Sequence, residues 1–190
     1  MYCGSNKTAL MSQELISRAM MRLIQEKPFT QISVSELCKT AGISRQTFYS
    51  LFTSRENVMV FALHARCGCG SDPELSLRES GAGPRPASRE DRLRSLCRGY
   101  SQYLYRNRDL IRILAENRID YLLYDSLYDL FNHADCLFGS LDACARSYAS
   151  GFYAGGVSCV ARQYAREGCA ASPQQLEDLL MRLFSGALFE

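Results

Sequence analysis

The sequence predicts an all-α fold, a small three-helix head followed by a larger helical body, and three observations carry that prediction. Strand-like alternation of apolar and polar residues is nearly absent. Hydroxyl residues followed three positions later by Glu or Gln recur just ahead of apolar-periodic runs, which is the sequence mark of a helix start. The stretch from Cys67 to Ser88 collects Gly68, Gly70, Gly81 and Gly83 with Pro73, Pro84 and Pro86, and reads as a linker or loop between two helical regions.

The first helix is expected over about 12–26. There Leu15, Ala19 and Leu23 recur at i, i+4, i+8 beside Ile16, Met20 and Ile24, and Lys27-Pro28 ends the run. Ser33-Val34-Ser35-Glu36 and Thr53-Ser54-Arg55-Glu56 both match the capping box, so helices are expected to begin near residues 34 and 54. Ser44 can cap a short helix between them. After the linker, helical stretches are expected at about 89–106, 109–116, 119–137, 142–167 and 174–188. Ser172-Pro173-Gln174-Gln175 opens the last with a hydroxyl cap, Pro at the first helical position and a Gln to complete the box. No internal repeat is visible.

Of 190 residues, 47% are hydrophobic and 22% charged, which places the chain among globular proteins with a sizeable core. Apolar runs are only a few residues long, too short to cross a bilayer, and Met1–Lys7 lacks the basic-then-apolar layout of a signal peptide. A cytoplasmic location, with no membrane partner, is therefore expected. The nine cysteines are odd in number and mostly scattered through apolar or helical pattern with no Cys-x-x-Cys pair, so they read as small core residues rather than a disulfide framework. The net charge of +2 is unevenly placed. Residues 1–66 hold 8 basic and 4 acidic residues, or +4; residues 67–190 hold 14 and 16, or −2. A basic head on a faintly acidic body suits a protein that meets phosphate with one end.

The informative segment runs from Ile32 to Phe52. One helix is expected from about Val34 to Thr40. Gly42 then permits the positive-φ turn that a side chain resists, and Ile43 points inward to pin it. A second short helix follows from about Arg45 to Phe52. Leu37 and Cys38 share a side of the first helix, Phe48 and Phe52 a side of the second, and the small Cys38 lets the two cross closely. This is a helix-turn-helix, whose second helix lies in the major groove. The opposite face of that helix presents Arg45, Gln46, Thr47, Tyr49 and Ser50. Arg pairs with guanine, Gln with adenine and the Thr methyl with the thymine methyl, while Tyr49 suits a phosphate oxygen. The alternative is a solvated helix in an ordinary bundle.

The segments Ala41-Gly42-Ile43-Ser44, Thr47-Phe48-Tyr49 and Phe52-Thr53-Ser54-Arg55-Glu56 resemble the TetR/AcrR family of transcriptional regulators. The wider run Lys27–Val34 with Arg45–Tyr49 is similar to its DhaS-like branch, that of the dihydroxyacetone kinase regulator. Strong resemblance covers about residues 7–60, and a weaker likeness appears at Phe152–Val157 and Ser172–Leu176. The resemblance implies base and backbone contacts for Arg45, Gln46, Thr47 and Tyr49, and phosphate contacts for Ser33 and Ser35. Arg55 stands where the family usually has Lys. Leu51 stands where many members have His, which removes one possible backbone contact. The chain is thus expected to divide at 1–54, a DNA-binding domain with Ser44 and Ser50 in its contact set, and 55–190, an effector-binding and dimerisation domain.

For the body, the family pairs through its last two long helices, so the resemblance implies a homodimer. Gly151, Gly155 and Gly156 lie within an expected helix, where each costs about 1 kcal/mol relative to Ala, which makes sense where another backbone comes close. With Leu176, Leu180 and Phe184 of the final helix's apolar stripe, Gly151 and Gly155 form the expected dimer surface; a tight crossing within one chain is the alternative. Tyr100, Tyr103, Tyr121, Tyr124 and Tyr128 with Ile111 and Leu114 could line an apolar pocket with a few hydroxyls, where the family takes its small-molecule effector; core packing is the alternative. His64, Cys67 and Cys69 put three soft ligands together without a fourth and read as loop residues rather than a metal or redox switch. No cofactor or metal is expected. No Gly-x-Ser-x-Gly, His-Glu-x-x-His or phosphate loop occurs, and neither of the two histidines has an evident acid partner, so no enzyme is expected. The expected function is a ligand-responsive repressor that binds double-stranded DNA at a palindrome, with a DhaS-like co-activator working through a partner protein as the alternative.

Overall fold

Ile16, Ala19, Met20, Leu23 and Ile24 line one side of the first helix and are buried, and this stripe organises the head. The computed structural model describes residues 7–66, 88–133, 138 and 140–186, and every element among them is helical. Helix α1 (Lys7–Glu26) begins earlier than the periodicity suggested, and Leu15, expected on its inner stripe, is exposed with Leu10 and Met11. A single 3-10 turn (Phe29–Gln31) follows, then α2 (Val34–Ala41), α3 (Arg45–Leu51) and α4 (Arg55–Arg66).

α2 and α3 start on their expected hydroxyls, while the cap of α4 moves one residue from Thr53 to Ser54, and both predicted boxes close differently. Ser33 accepts from the Glu36 N–H at 3.1 Å, while the Glu36 carboxylate turns away to pair with Lys27. At α4 the cap is Ser54, which accepts from the Asn57 N–H at 3.3 Å, and Thr53 donates to the Asn57 side chain. Asn57, not Glu56, is the residue that completes this turn, because Glu56 lies beside Arg55. Ser44 accepts from the Thr47 N–H at 3.0 Å. Gly42 sits at φ 69°, and the N–H of Ile43 reaches the carbonyl of Cys38 at 3.0 Å. This left-handed exit closes α2 and turns the chain into α3.

The body contains α5 (Arg89–Arg106), α6 (Arg108–Glu116), α7 (Tyr121–Asn132), α8 (Ala143–Arg166) and α9 (Pro173–Ser185). Ser88 with Asp91 and Ser172 with Gln175 form reciprocal capping boxes at α5 and α9. α7 runs alongside α8, α5 packs on α9, α6 touches α8, and α4 reaches across to α7. Ile16, Met20, Leu37, Phe48 and Phe52 in the head, Met59 on α4, and Leu104, Leu110, Leu114 and Leu122 in the body belong to one continuous apolar core. No helix among the described residues is long and apolar enough to cross a membrane. The predicted linker lies almost entirely outside the described residues.

Candidate nucleic-acid interface

Phe48 and Leu51 fasten α3 to the head, and Phe52, its C-cap, is buried with them. Phe52 packs against Phe48 with its ring tilted and edge-on against Phe61, at centroid distances of 6.0 and 5.7 Å. Leu51 therefore serves the core, and burial explains why an apolar residue is tolerated at the end of this helix. With that face consumed, Arg45, Gln46, Tyr49 and Ser50 stand in solvent and Thr47 is half-buried. Tyr49 is 52% exposed, with its ring edge-on to Phe48 at 5.3 Å.

The polar groups on this face are partly engaged with one another. Ser44 Oγ and Thr47 Oγ1 share a hydrogen bond of 2.9 Å, and Ser50 Oγ donates to the Thr47 carbonyl at 2.8 Å. Arg45 Nη1 donates to Ser35 Oγ on α2 at 3.0 Å, and the guanidinium carbon lies 6.0 Å from the centre of the Tyr49 ring. Burial pushes the Cys38 thiol up, with Arg45 nearby acting in the opposite sense. The neutral thiol is thus the form that fits the close α2–α3 crossing.

Arg55 faces another way. Its guanidinium lies over the Phe29 ring at 4.9 Å and donates to the carbonyls of Phe29, at 3.1 Å, and Ile32. It therefore braces the loop ahead of α2. Ser33 and Ser44 are exposed but committed to their caps, so of the residues expected at the interface, Ser35, Arg45, Gln46, Tyr49 and Ser50 are the ones that face solvent without capping a helix.

The residues expected to line a pocket divide among three environments. Ile111 and Leu114 are core. Tyr100 donates to the Val157 carbonyl at 2.9 Å and stacks on Tyr103, and Tyr128 shares a hydrogen bond with Ser147. Tyr121 and Tyr124 are on the surface. The Tyr121 phenol is pushed up by burial, then by Glu56 and Asp125, which sets it at the seam between α7 and the start of α4. His64 bonds the Ser126 carbonyl through Nε2 at 3.0 Å across the same seam, while Cys67 and Cys69 lie outside the described residues. Among the described residues no group of three metal-ligating side chains assembles.

The residues expected at a dimer surface also divide. Leu176 and Leu180 are buried within the chain, on the side of α9 that carries Glu177 to Arg98 of α5 in a two-point ion pair, 3.2 Å at each contact. At Gly151 an added Cβ would sit in ordinary contact with the Tyr124 hydroxyl at 3.5 Å, and at Gly156 it would come within 3.2 Å of the Phe184 ring. Only Gly155 of the three faces open space. The close neighbours of Gly151 and Gly156 are thus side chains of the same chain, as in the intramolecular alternative. What remains exposed is Tyr148 and Phe152 on α8 and Leu179 and Leu183 on α9. Between the two helices runs an open, mainly apolar groove of about 770 Å³ whose walls include Phe152, Gly156, Val160, Leu179 and Leu183.

Sequence reasoning missed two structural links. Asn117 Oδ1 accepts from the Phe29 N–H at 2.7 Å, joining body to head. The Arg98–Glu177 pair had a readable signal, because Glu177 falls between Leu176 and Leu180 on an otherwise apolar stripe.

A family model described as bacterial regulatory proteins, tetR family, matches residues 16–60. The chain is 40% identical over 53 residues to the HTH-type dhaKLM operon transcriptional activator DhaS of Lactococcus lactis, covering 28% of each. It is 42% identical over 60 residues to the HTH-type transcriptional regulator EthR of Mycolicibacterium smegmatis, covering 32% of this chain and 24% of that protein. The matches thus span about a quarter of the length of these curated relatives. In fold, the chain is similar to Lin0861 from Listeria innocua, with a TM-score of 0.67 at 16% identity over 100% of this chain and 96% of that one. It is also similar to the fatty acid degradation regulator FadR from Bacillus halodurans, with a TM-score of 0.54 at 18% identity over 96% of both.

Proposed function

From an N-terminal head that matches the tetR family model over residues 16–60, we propose that this chain is a TetR-family regulator, a ligand-responsive transcriptional repressor that binds a palindromic operator in double-stranded DNA as a homodimer. The observation that carries the reading is the face of α3. Phe48 and Leu51 anchor the helix, Ser44 caps it, and Arg45, Gln46, Tyr49 and Ser50 are left in solvent at the spacing of a groove-reading helix. The excess of positive charge in residues 1–66 supports the same surface.

One head grips DNA weakly. Two heads held by a two-fold dimer sit roughly 34–36 Å apart and address successive turns of one face of the duplex. The exposed stripe of Tyr148, Phe152, Leu179 and Leu183 on α8 and α9 supports pairing through these helices, with Gly155 at a point where, among the described residues, no other part of the chain comes within 4 Å of an added Cβ. In this reading residues 1–54 engage DNA and 55–190 dimerise and receive a small-molecule effector in the cytoplasm. An effector that favours the body conformation with the wrong head spacing releases the operator.

The direct test is a gel shift and footprint on the DNA upstream of the chain's own gene. A protected palindrome is expected; no protected sequence at low salt sinks the reading.

A further inference from the structure

Of the two serines at the start of α2, only Ser33 is consumed by capping. Ser35 is exposed, and its hydroxyl accepts from Arg45 Nη1 at 3.0 Å across the gap between α2 and α3. Arg45 is the first residue of α3, where a groove-reading helix meets base edges. Its guanidinium carbon also lies over the Tyr49 ring, 6.0 Å from the ring centre. An unrestrained arginine side chain would sample many rotamers and lose that freedom on binding. Here one donor is fixed on Ser35, and the remaining donors keep the planar fork that matches the O6 and N7 acceptors of guanine.

We propose that Ser35 is a positioning residue for base readout, its hydroxyl aiming the Arg45 guanidinium at a single base pair. This rests on the DNA-binding reading of α3 and sharpens it. A phosphate contact, by contrast, carries no sequence information and serves all duplexes alike. The hydroxyl proton of Ser35 stays free to donate, but the selectivity of the head depends on its lone pair and on Arg45.

The test uses the full chain and a pool of duplexes randomised over about two helical turns. Bound duplexes are sequenced for the parent protein, Ser35→Ala, Ser35→Thr, Arg45→Ala and the double variant Ser35→Ala/Arg45→Ala. At the base pair where Arg45→Ala loses its preference, Ser35→Ala is expected to lose discrimination by about tenfold. Ser35→Thr, which keeps the hydroxyl, retains it. The double variant is no less selective than Arg45→Ala, because the two residues act through one contact. If Ser35→Ala keeps the parent preference, whether with unchanged binding or with all duplexes weakened alike, Ser35 does not position Arg45 and the proposal falls while the DNA-binding reading stands. If the parent protein selects no sequence, the DNA-binding reading falls and takes this proposal with it.

Discussion

The backbone N–H of Phe29 in the head donates to the side-chain oxygen of Asn117 in the body at 2.7 Å. Asn117 caps the end of α6 and donates back to the Ile113 carbonyl at 2.9 Å, so its amide is held at both ends. Arg55 holds the same turn from the other side, by its place over the Phe29 ring and its bonds to two carbonyls. The 3-10 turn between α1 and α2 is thus clamped by one residue of the body and one at the start of α4.

Asn117→Ala removes the acceptor from an N–H in a buried residue. A loss of about 1–3 kcal/mol in unfolding free energy is expected from urea denaturation. Asn117→Asp, which keeps an acceptor, should recover part of it; equal stability of all three proteins would show that this bond contributes nothing.

Arg55→Lys keeps the charge but cannot reach two carbonyls while lying flat on a ring. The variant is expected to lose about 1–2 kcal/mol of stability and to weaken binding to every duplex alike. Were Arg55 chiefly a phosphate contact, Lys would serve nearly as well in both assays.

Tyr49→Phe keeps the ring beside Arg45 and removes only the hydroxyl. With Tyr49 52% exposed, the melting temperature should stay put. Affinity should fall several-fold for all sequences, about 1 kcal/mol, measured by fluorescence anisotropy on the selected operator and on scrambled duplexes. A change in sequence preference would reassign Tyr49 to base readout.

Phe152 is 71% exposed in the single chain, so a charge there costs the subunit little. Phe152→Glu should shift the protein from dimer to monomer in sedimentation at micromolar concentration and lower operator affinity with it. A dimeric Phe152→Glu protein would move the interface elsewhere.

Alkaline titration should expose Cys97. Burial first and the Glu177 carboxylate second push its thiol up to about 11, with Arg94 opposing them. The unfolded chain releases this proton near pH 9.0, so above that pH the folded state holds more protons and stability falls with rising pH until about 11. The Cys97→Ala variant should show a flatter stability profile over that window; an identical slope would refute the assignment. In the native protein a maleimide at neutral pH should label the exposed Cys144 and spare Cys97.

Features that depend on local pattern could be read from the sequence. The head needed only Gly42 at a left-handed turn, hydroxyls ahead of each helix and apolar residues at helical spacing, and the α2–α3 pair formed close to the expected bounds. What failed locally did so through competition for one side chain. Glu36 had a cap within reach and paired with Lys27 instead, and Asn57 completed a turn that Glu56 was expected to complete.

The body was less legible because a stripe does not say which neighbour covers it. Leu176 and Leu180 have the same pattern as Leu179 and Leu183, yet the first pair is buried on α5 and the second faces solvent. The tyrosines of the body were similarly ambiguous, and only the packing of α7 on α8 separates Tyr128, bonded to Ser147, from Tyr124 at the surface. The left-handed Arg118, at φ 56° after α6, was also invisible, since the sequence offers no glycine there. Neither Phe29 nor Asn117 carries a mark that predicts a bond across 88 positions.

α9 carries its inward and outward residues on the same 13-residue rod. Its inner side is pinned to α5 by Glu177 and Arg98, and its outer side offers Leu179 and Leu183. In the proposed dimer, a rod shared in this way puts the interior of one subunit and the boundary between two mechanically in series. A molecule that spread α5 by an ångström need not touch the boundary to change the angle at which two copies meet. Substitutions at Arg98, which lies on α5 outside the exposed stripe, would then register as altered spacing between the heads of the proposed dimer, so the length of the spacer tolerated in a palindrome becomes a ruler for strain inside the body.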